Sequence, residues 1–288
     1  MGRVFTRRLG AAVLGAMVCL TVASCGSREP AAEPGPTTAE EKRARGETIL
    51  KQVSEKLAAA QALSVSTTEQ NERVRRNGER VKLNLARQVA MRRPDRLYFK
   101  ATGDRDLEVY YDGKKVTLVS HKEKVFGEFP ARPTLDETVD MISERYDVPL
   151  PLGKLLTANP QGKLVGDGAT GGWVRREEVD GVTCNVLSWQ QPNADWSIWV
   201  PASGDPLPKK FQVTSKARRG QPVSTIVFKD WNLAAQVTDD TFAKRVPNDY
   251  EGIPVIQRES AVLEEQKPGQ GKPSGQTPAA TPTPATKK

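Results

Sequence analysis

Two hydrophobic periods divide the chain. Ile49, Leu50, Val53, Leu57 and Ala60 recur at three- and four-residue spacing, the stripe of an amphipathic helix, and Thr38 with Glu41 forms a capping box at its start. From residue 81 the period changes to two. Val81, Leu83, Leu85, Val89 and Met91 alternate with Lys82, Asn84, Ala86, Gln88 and Ala90, which predicts one long strand. Arg87 interrupts the apolar side of that strand and implies that it is only partly covered. Residues 92–96, Arg-Arg-Pro-Asp-Arg, read as a turn into a second strand at 97–101. Residues 107–111 and 115–120 flank Asp112-Gly113, the strongest hairpin signal in the chain. A second capping box, Thr134 with Glu137, opens a helix on which Leu135, Val139, Ile142 and Tyr146 share a face, and the leucine-rich run 149–156 follows. Strands are then predicted at 172–177, 182–190, 196–201, 210–217 and 223–231, each bounded by Gly, Pro, Asp or Asn.

The order is helix, about four strands, a helical insertion, then five or six strands. Short turns between successive strands imply an antiparallel sheet, and the helices make the fold class α+β. No internal repeat is evident.

The ends differ from this body. Residues 9–22 are apolar and uncharged and follow Arg3, Arg7 and Arg8. This run is shorter than the roughly 20 residues a spanning helix needs, so it reads as an export leader over 1–24. It ends in Val22-Ala23-Ser24-Cys25, which resembles the lipobox of bacterial lipoproteins. The resemblance implies that Cys25 is acylated and ties the protein to a membrane, since each buried methylene contributes about 0.8 kcal/mol and several chains hold where one does not. A plain secretory signal with an incidental cysteine is the alternative. Gly26 follows Cys25 where an aspartate would favour the inner membrane, so an outer-membrane position facing the periplasm is expected. Residues 25–39 read as a flexible tether, 40–254 as one domain, and 255–288, rich in Pro, Gly, Thr and Lys, as a disordered tail.

Charge changes the picture little. The 288 residues carry 43 Lys+Arg against 35 Asp+Glu, and removing the three leader arginines lowers the net charge from +8 to +5. The basic residues are scattered over turns and strand ends, without the aromatic interleaving of a nucleic-acid groove, so no nucleic-acid partner is expected. They read as solvated edges, or as contacts to anionic lipid headgroups. Once Cys19 leaves with the leader and Cys25 carries lipid, Cys184 has no disulfide partner and reads as a small buried hydrophobe in a strand.

The motifs of common chemistries are missing: no Gly-rich phosphate loop, HExxH, CxxC or GxSxG. The single histidine, His121, lies in a polar run with no nucleophile near it in sequence. The acidic pairs Glu177/Glu178 and Asp239/Asp240 point to opposite faces if they lie on strands, which suits acid–base catalysis poorly. The expectation is therefore a protein without catalytic residues, cofactor or metal. Trp196, Ile198 and Val200 share one side of a strand and Trp199 takes the other. These tryptophans either belong to the core or line a pocket for an apolar ligand. The second helix and the run after it either cap the sheet or form a movable lid.

Several short motifs, in their order, carry a family resemblance. They are Arg93-Pro94-Asp95-Arg96-Leu97-Tyr98-Phe99, Tyr111-Asp112-Gly113-Lys114-Lys115, the helical insertion, and a late segment from Asp240 to Pro247. Together they resemble the LolA/LolB superfamily of periplasmic lipoprotein carriers and receptors. The stretches 179–184 and 196–209 are more similar still to a family of predicted periplasmic proteins that shares the fold. The resemblance covers about residues 45–250. It implies an incomplete antiparallel β-barrel curved around an apolar cavity, with an N-terminal helix and an inserted helical lid. It further implies that Arg93, with Arg92 beside it, holds the lid closed, and that Leu135, Val139, Ile142, Leu152, Trp196 and Trp199 line the lid or the ligand site. The soluble carrier has no lipid anchor, whereas the lipobox gives this chain one, as the receptor has. The functional expectation is a membrane-anchored binder of a lipid or lipoprotein acyl chain. The alternative is an envelope protein-interaction or stress-sensor module that uses the fold without a ligand.

Overall fold

The computed structural model describes residues 35–146 and 151–256. The chain falls into two units, Met1–Gly35 and Pro36–Lys288, and of the first only Gly35 is described. The leader, Cys25 and the region beyond residue 256 lie outside the described residues.

The second unit opens with helix α1 (Ala39–Ala58), capped as its sequence predicts: the Thr38 hydroxyl accepts from the Glu41 amide at 3.1 Å, and the Glu41 carboxylate accepts from the Thr38 amide at 3.1 Å. Five strands, β1 (Ala62–Val74), β2 (Arg80–Arg92), β3 (Arg96–Gly103), β4 (Leu107–Tyr111) and β5 (Lys115–Ser120), then run to β6 (Val125–Pro130) as a meander. A helical insertion follows, made of α2 (Leu135–Tyr146), α3 (Pro151–Leu155) and α4 (Pro160–Leu164). A second meander holds β7 (Thr170–Val179), β8 (Val182–Gln190), β9 (Ala194–Pro201), β10 (Lys210–Ser215) and β11 (Val223–Asn232). The chain ends in α5 (Asp239–Phe242) and the two-residue β12 (Glu251–Gly252).

Among the described residues the strands form one sheet in the order β12-β6-β5-β4-β3-β2-β1-β11-β10-β9-β8-β7. All pairs are antiparallel except β12 with β6. The fold is α+β, and the sheet stays open, with β12 and β7 at its two edges. The meanders meet at the β1–β11 pair. The insertion leaves β6 near one edge and must reach β7 at the other, so it has to cross a face of the sheet. That crossing buries the inner face. Leu50, Val53 and Leu57 of α1 join Leu135, Val139, Leu155 and Leu164 of the insertion in one core with Val65, Val89, Leu187 and Phe211 of the strands.

The hydrophobic pattern does not predict β1, because its inner positions begin with Leu63 and Val65 and turn polar at Thr67, Glu69 and Asn71. Its pairing with β2 over the whole strand supplies the apolar partners. Arg87 is also accounted for there. It lies on the inner face 3.2 Å from the Glu69 carboxylate, which also accepts from the Thr67 hydroxyl at 3.0 Å, and its guanidinium sits over the Phe99 ring at 4.7 Å. The break in the apolar stripe is therefore a compensated ion pair, with Leu85 and Val89 buried on either side. β6 and α4 are likewise absent from the pattern. β6 carries Gly127 at its centre, and α4 is a single turn started by Asn159, whose side chain accepts from the Gly162 amide. Strand β10 stops at Ser215, two residues short of its predicted end.

Helix α1 crosses β7 through glycine. A Cβ on Gly46 would stand 2.6 Å from Gly172 Cα and 2.7 Å from the Trp173 amide nitrogen. Past this crossing β7 is irregular, with a register shift between Trp173 and Arg175. On the outer face the segment from α5 to Tyr250 straps β3 to β6, and β12 then joins β6 at the sheet edge. Phe242 is buried beneath the Arg92 guanidinium, Lys244 bonds Glu128 at 2.8 Å, and the Tyr250 hydroxyl lies 2.9 Å from His121 Nδ1. Val255 packs on Gly127 and against the inner core.

Two tests follow from these contacts. Gly46→Ala should destabilise by about 1–3 kcal/mol, because the backbone clash outweighs the roughly 1 kcal/mol gain in helix propensity; urea unfolding midpoints check the sign. The hydrogen bond from Lys244, helped by those from Thr117 and Lys115 and opposed by partial burial, holds Glu128 down at about 2 from its ordinary 4.5. A depressed carboxylate adds stability above its unfolded value and loses it as pH falls toward its folded one. The strap should therefore loosen between roughly pH 4.5 and 2 in the native chain, and Lys244→Ala should blunt that acid transition, read by hydrogen exchange over residues 239–256.

Candidate functional site

The turn between β2 and β3 places Arg93 beneath the end of α1. Its Nε donates to the Ala60 carbonyl at 3.1 Å, and one terminal nitrogen donates to Leu57 O at 3.4 Å and to Thr157 O at 3.0 Å. Leu57 lies in the last turn of α1 and its carbonyl also accepts from the Ala60 amide at 3.4 Å, Ala60 follows the helix, and Thr157 follows α3. A single cation thus ties the N-terminal helix to the insertion. Leu135 N donates to Pro94 O at 2.9 Å, and Asp136 accepts from the Ala158 amide at 2.9 and 3.1 Å, so the start of α2 is bound to the same turn. Burial lowers the pKa of Arg93, and the nearby Asp136 works against that.

Around this clasp lie most of the residues named from sequence. Leu135, Val139 and Leu152 are buried in the common core, and Ile142 packs against it half-buried. Trp196 stacks between Trp189, at 4.6 Å, and Phe211, at 5.7 Å, while its indole nitrogen donates to Leu164 O at 3.1 Å and so pins α4 to β9. Trp199 does not join them. It faces the opposite side of the sheet in a small cluster with Cys184 and Val186, and Lys210 Nζ lies 4.2 Å from its ring centre. Cys25 lies outside the described residues. In this conformation the space between helices and sheet is occupied by the chain's own side chains.

Open space lies at the flank of α1. A cavity of about 710 Å³ separates the helix from the loop after β9, within the range of small-molecule sites. Arg45, Thr48, Ile49 and Gln52, at helical spacing, form one wall, and Asn185 and Val200 form the floor. Pro201 to Pro206 form the other wall. Arg45 stacks over Trp173 at 5.1 Å, and the Trp173 indole nitrogen donates to Asn185 Oδ1 at 3.0 Å. At the far end Lys56 pairs with Asp205 at 2.7 Å and fixes the loop to the helix. Sequence reading missed this site because it attends to the buried stripe of α1, and Arg45, Thr48 and Gln52 lie beside that stripe. A second depression, about 430 Å³, lies on the outer face over β11, β1, β2 and β3 and is walled by polar residues such as Thr68, Gln70, Asn84 and Thr225.

Elsewhere the titratable groups serve structure. His121 Nε2 lies 3.7 Å from Glu108, which also pairs with Lys100 at 3.3 Å and accepts from Tyr110. Cys184 is fully buried, and burial pushes its thiol pKa up, away from the reactive thiolate. The acidic pairs are divided among arginines: Glu177 bonds Arg175, Asp239 bonds Arg92 and Asp240 bonds Arg245. No cluster of three or more His, Cys, Asp or Glu placed to hold a metal occurs among the described residues.

The family described as predicted periplasmic protein (DUF2092) matches residues 46–256, almost the whole described body. The chain belongs to this family. Among solved structures, the DUF2092 chain is similar to an uncharacterised conserved protein of Thermus thermophilus at 11% identity, over 73% of this chain and 98% of that one, with a TM-score of 0.43. It is also similar to a LolA superfamily protein of Nitrosomonas europaea at 15% identity (69% and 98% covered, TM-score 0.34). A third is the Mycobacterium tuberculosis lipoprotein LppX, at 11% identity (67% and 97% covered, TM-score 0.41). Among curated proteins none matches the chain.

If Arg93 is the clasp, Arg93→Leu should take the donor from the Ala60 and Thr157 carbonyls and destabilise the DUF2092 domain by about 1–3 kcal/mol. Amide exchange should rise first in residues 152–165, ahead of β8 and β9, when followed by hydrogen-exchange mass spectrometry.

Proposed function

We propose that this protein is a membrane-tethered binder of an apolar ligand, a lipid or a lipoprotein acyl chain, which it holds between its helices and the inner face of its sheet. The observation that carries the reading is the clasp. A largely apolar face is covered by an insertion that packs on α1 through leucines and is tied to it by polar contacts from Arg93 and from Ser54, whose hydroxyl accepts from the Gln161 amide. A cover fastened this way can shift as a unit, and a ligand chain can take over the apolar area the helices release, at about 25 cal/mol per Å². Binding of this kind needs no catalytic group. Acylated Cys25 is the proposed anchor, in the outer membrane facing the periplasm, with residues 25–39 as tether.

Native mass spectrometry of a soluble Cys25→Ala chain tests the ligand. A discrete lipid adduct that is lost on denaturation, and enriched in Arg93→Leu, is expected; clean apo masses for both forms would sink the reading. Labelling with radioactive palmitate tests the anchor: label should appear on the native chain and vanish with Cys25→Ala.

The occupied inner face favours a second reading, an envelope protein-interaction module in which the covered state is the working one. Recovery of one stoichiometric protein partner after crosslinking in cells, with no lipid adduct, would favour it.

A further inference from the structure

The cavity beside α1 has the inner-face residues Asn185 and Val200 as its floor, but no residue of the insertion lines it, so it is open without any movement of the insertion. Its lining combines one cation with apolar and uncharged polar side chains. At one end stands Arg45, half-buried, its guanidinium stacked on Trp173 and without a carboxylate partner among the described residues. Neighbouring charges are spoken for: Arg43 pairs with Glu47 at 2.9 Å, and Lys56 with Asp205 at 2.7 Å. The ring holds the guanidinium from one side without using its N–H donors, which suits recognition of an oxyanion. Beyond Arg45 the lining mixes apolar Ile49 on the helix, Val200 on the floor and Pro201 and Pro206 on the loop with polar Thr48, Gln52 and Ser203. The Lys56–Asp205 pair ties the loop to α1 about 16 Å along the helix from Arg45 at 1.5 Å per residue.

We propose that this cavity is a binding site for a single-chain anionic amphiphile, with its carboxylate or phosphate on Arg45 and its chain laid along Ile49, Val200 and Pro206. The site goes beyond the inner-face reading and does not require the clasp to open. The charge is what selects the ligand. A neutral chain gains the same burial but leaves Arg45 unpaired, and an anion without a chain gains the pairing but leaves the apolar lining wet.

Isothermal titration of the full-length Cys25→Ala chain with laurate, dodecyl maltoside and inorganic phosphate tests the proposal, alongside Arg45→Gln, the cavity-filling Ala202→Trp and Arg93→Leu. Laurate should bind the parent chain more tightly than either control. Arg45→Gln should weaken laurate by about tenfold or more, the scale of one charge-assisted hydrogen bond, and leave dodecyl maltoside unchanged. Ala202→Trp should abolish laurate binding, and Arg93→Leu should leave it intact. Laurate affinity indifferent to both Arg45→Gln and Ala202→Trp would overturn the proposal, as would phosphate binding as tightly as laurate, which would leave an anion site only. Circular dichroism of each variant separates loss of the site from loss of the fold. Laurate binding that responds to Arg93→Leu but not to Arg45→Gln would remove this site and keep the inner-face reading. Lipid adducts absent in native mass spectrometry, with laurate binding still dependent on Arg45, would do the reverse.

Discussion

The structure depends on one topological constraint: the chain finishes its first meander near one edge of the sheet and begins its second at the other. The segment between β6 and β7 has no route that avoids a face of the sheet, and that face is apolar because α1 already packs there. Covering the inner face is therefore a consequence of strand order. The energetic detail lies in how the cover is fastened, and there the balance is uneven. Apolar burial from Leu155, Leu156 and Leu164 gives the insertion its affinity for the sheet but no geometric precision. Precision comes from a few polar contacts: Arg93 to three carbonyls, Asp136 to the Ala158 amide, Trp196 to Leu164 and Lys163 to Asp140 at 2.6 Å.

Much of this was legible in residue order. The capping boxes at Thr38 and Thr134, the Asp112-Gly113 hairpin and the strands from β7 onward depend on local chemistry and strict alternation, and local signals survive without a partner. What sequence hid was non-local. β1 reads as irregular because its inner half is polar, and only the opposing Arg87 makes Glu69 an acceptable inner-face residue. Arg87, in turn, looks like a flaw in β2 until Glu69 is placed beside it. β6 depends on Val255 filling the space over Gly127, a contact made across more than a hundred residues.

The candidate site residues divide the same way. Arg93 was found through a motif resemblance, and the structure gives it partners that a motif does not name. Trp196 and Trp199, three residues apart, end on opposite faces, as alternation requires, so they serve two different clusters. The cavity at Arg45 had no sequence signature, because its walls come from α1, β8 and the loop after β9, and its one conspicuous residue is an arginine on a helix already rich in charge.

The β1–β11 pair carries a consequence for how the protein is made. Ser66 pairs with Lys229, so the central join of the sheet spans most of the domain in sequence, a contact of the kind that slows folding. A chain emerging from its N-terminus completes β1 and β2 long before β11 exists, and during that interval β1 is an edge strand with one side unpaired. The run Thr67, Thr68, Glu69, Gln70 and Asn71 lies on that waiting edge. Its polarity, which conceals the strand from pattern reading, also makes it a poor template for another chain until the proper partner arrives.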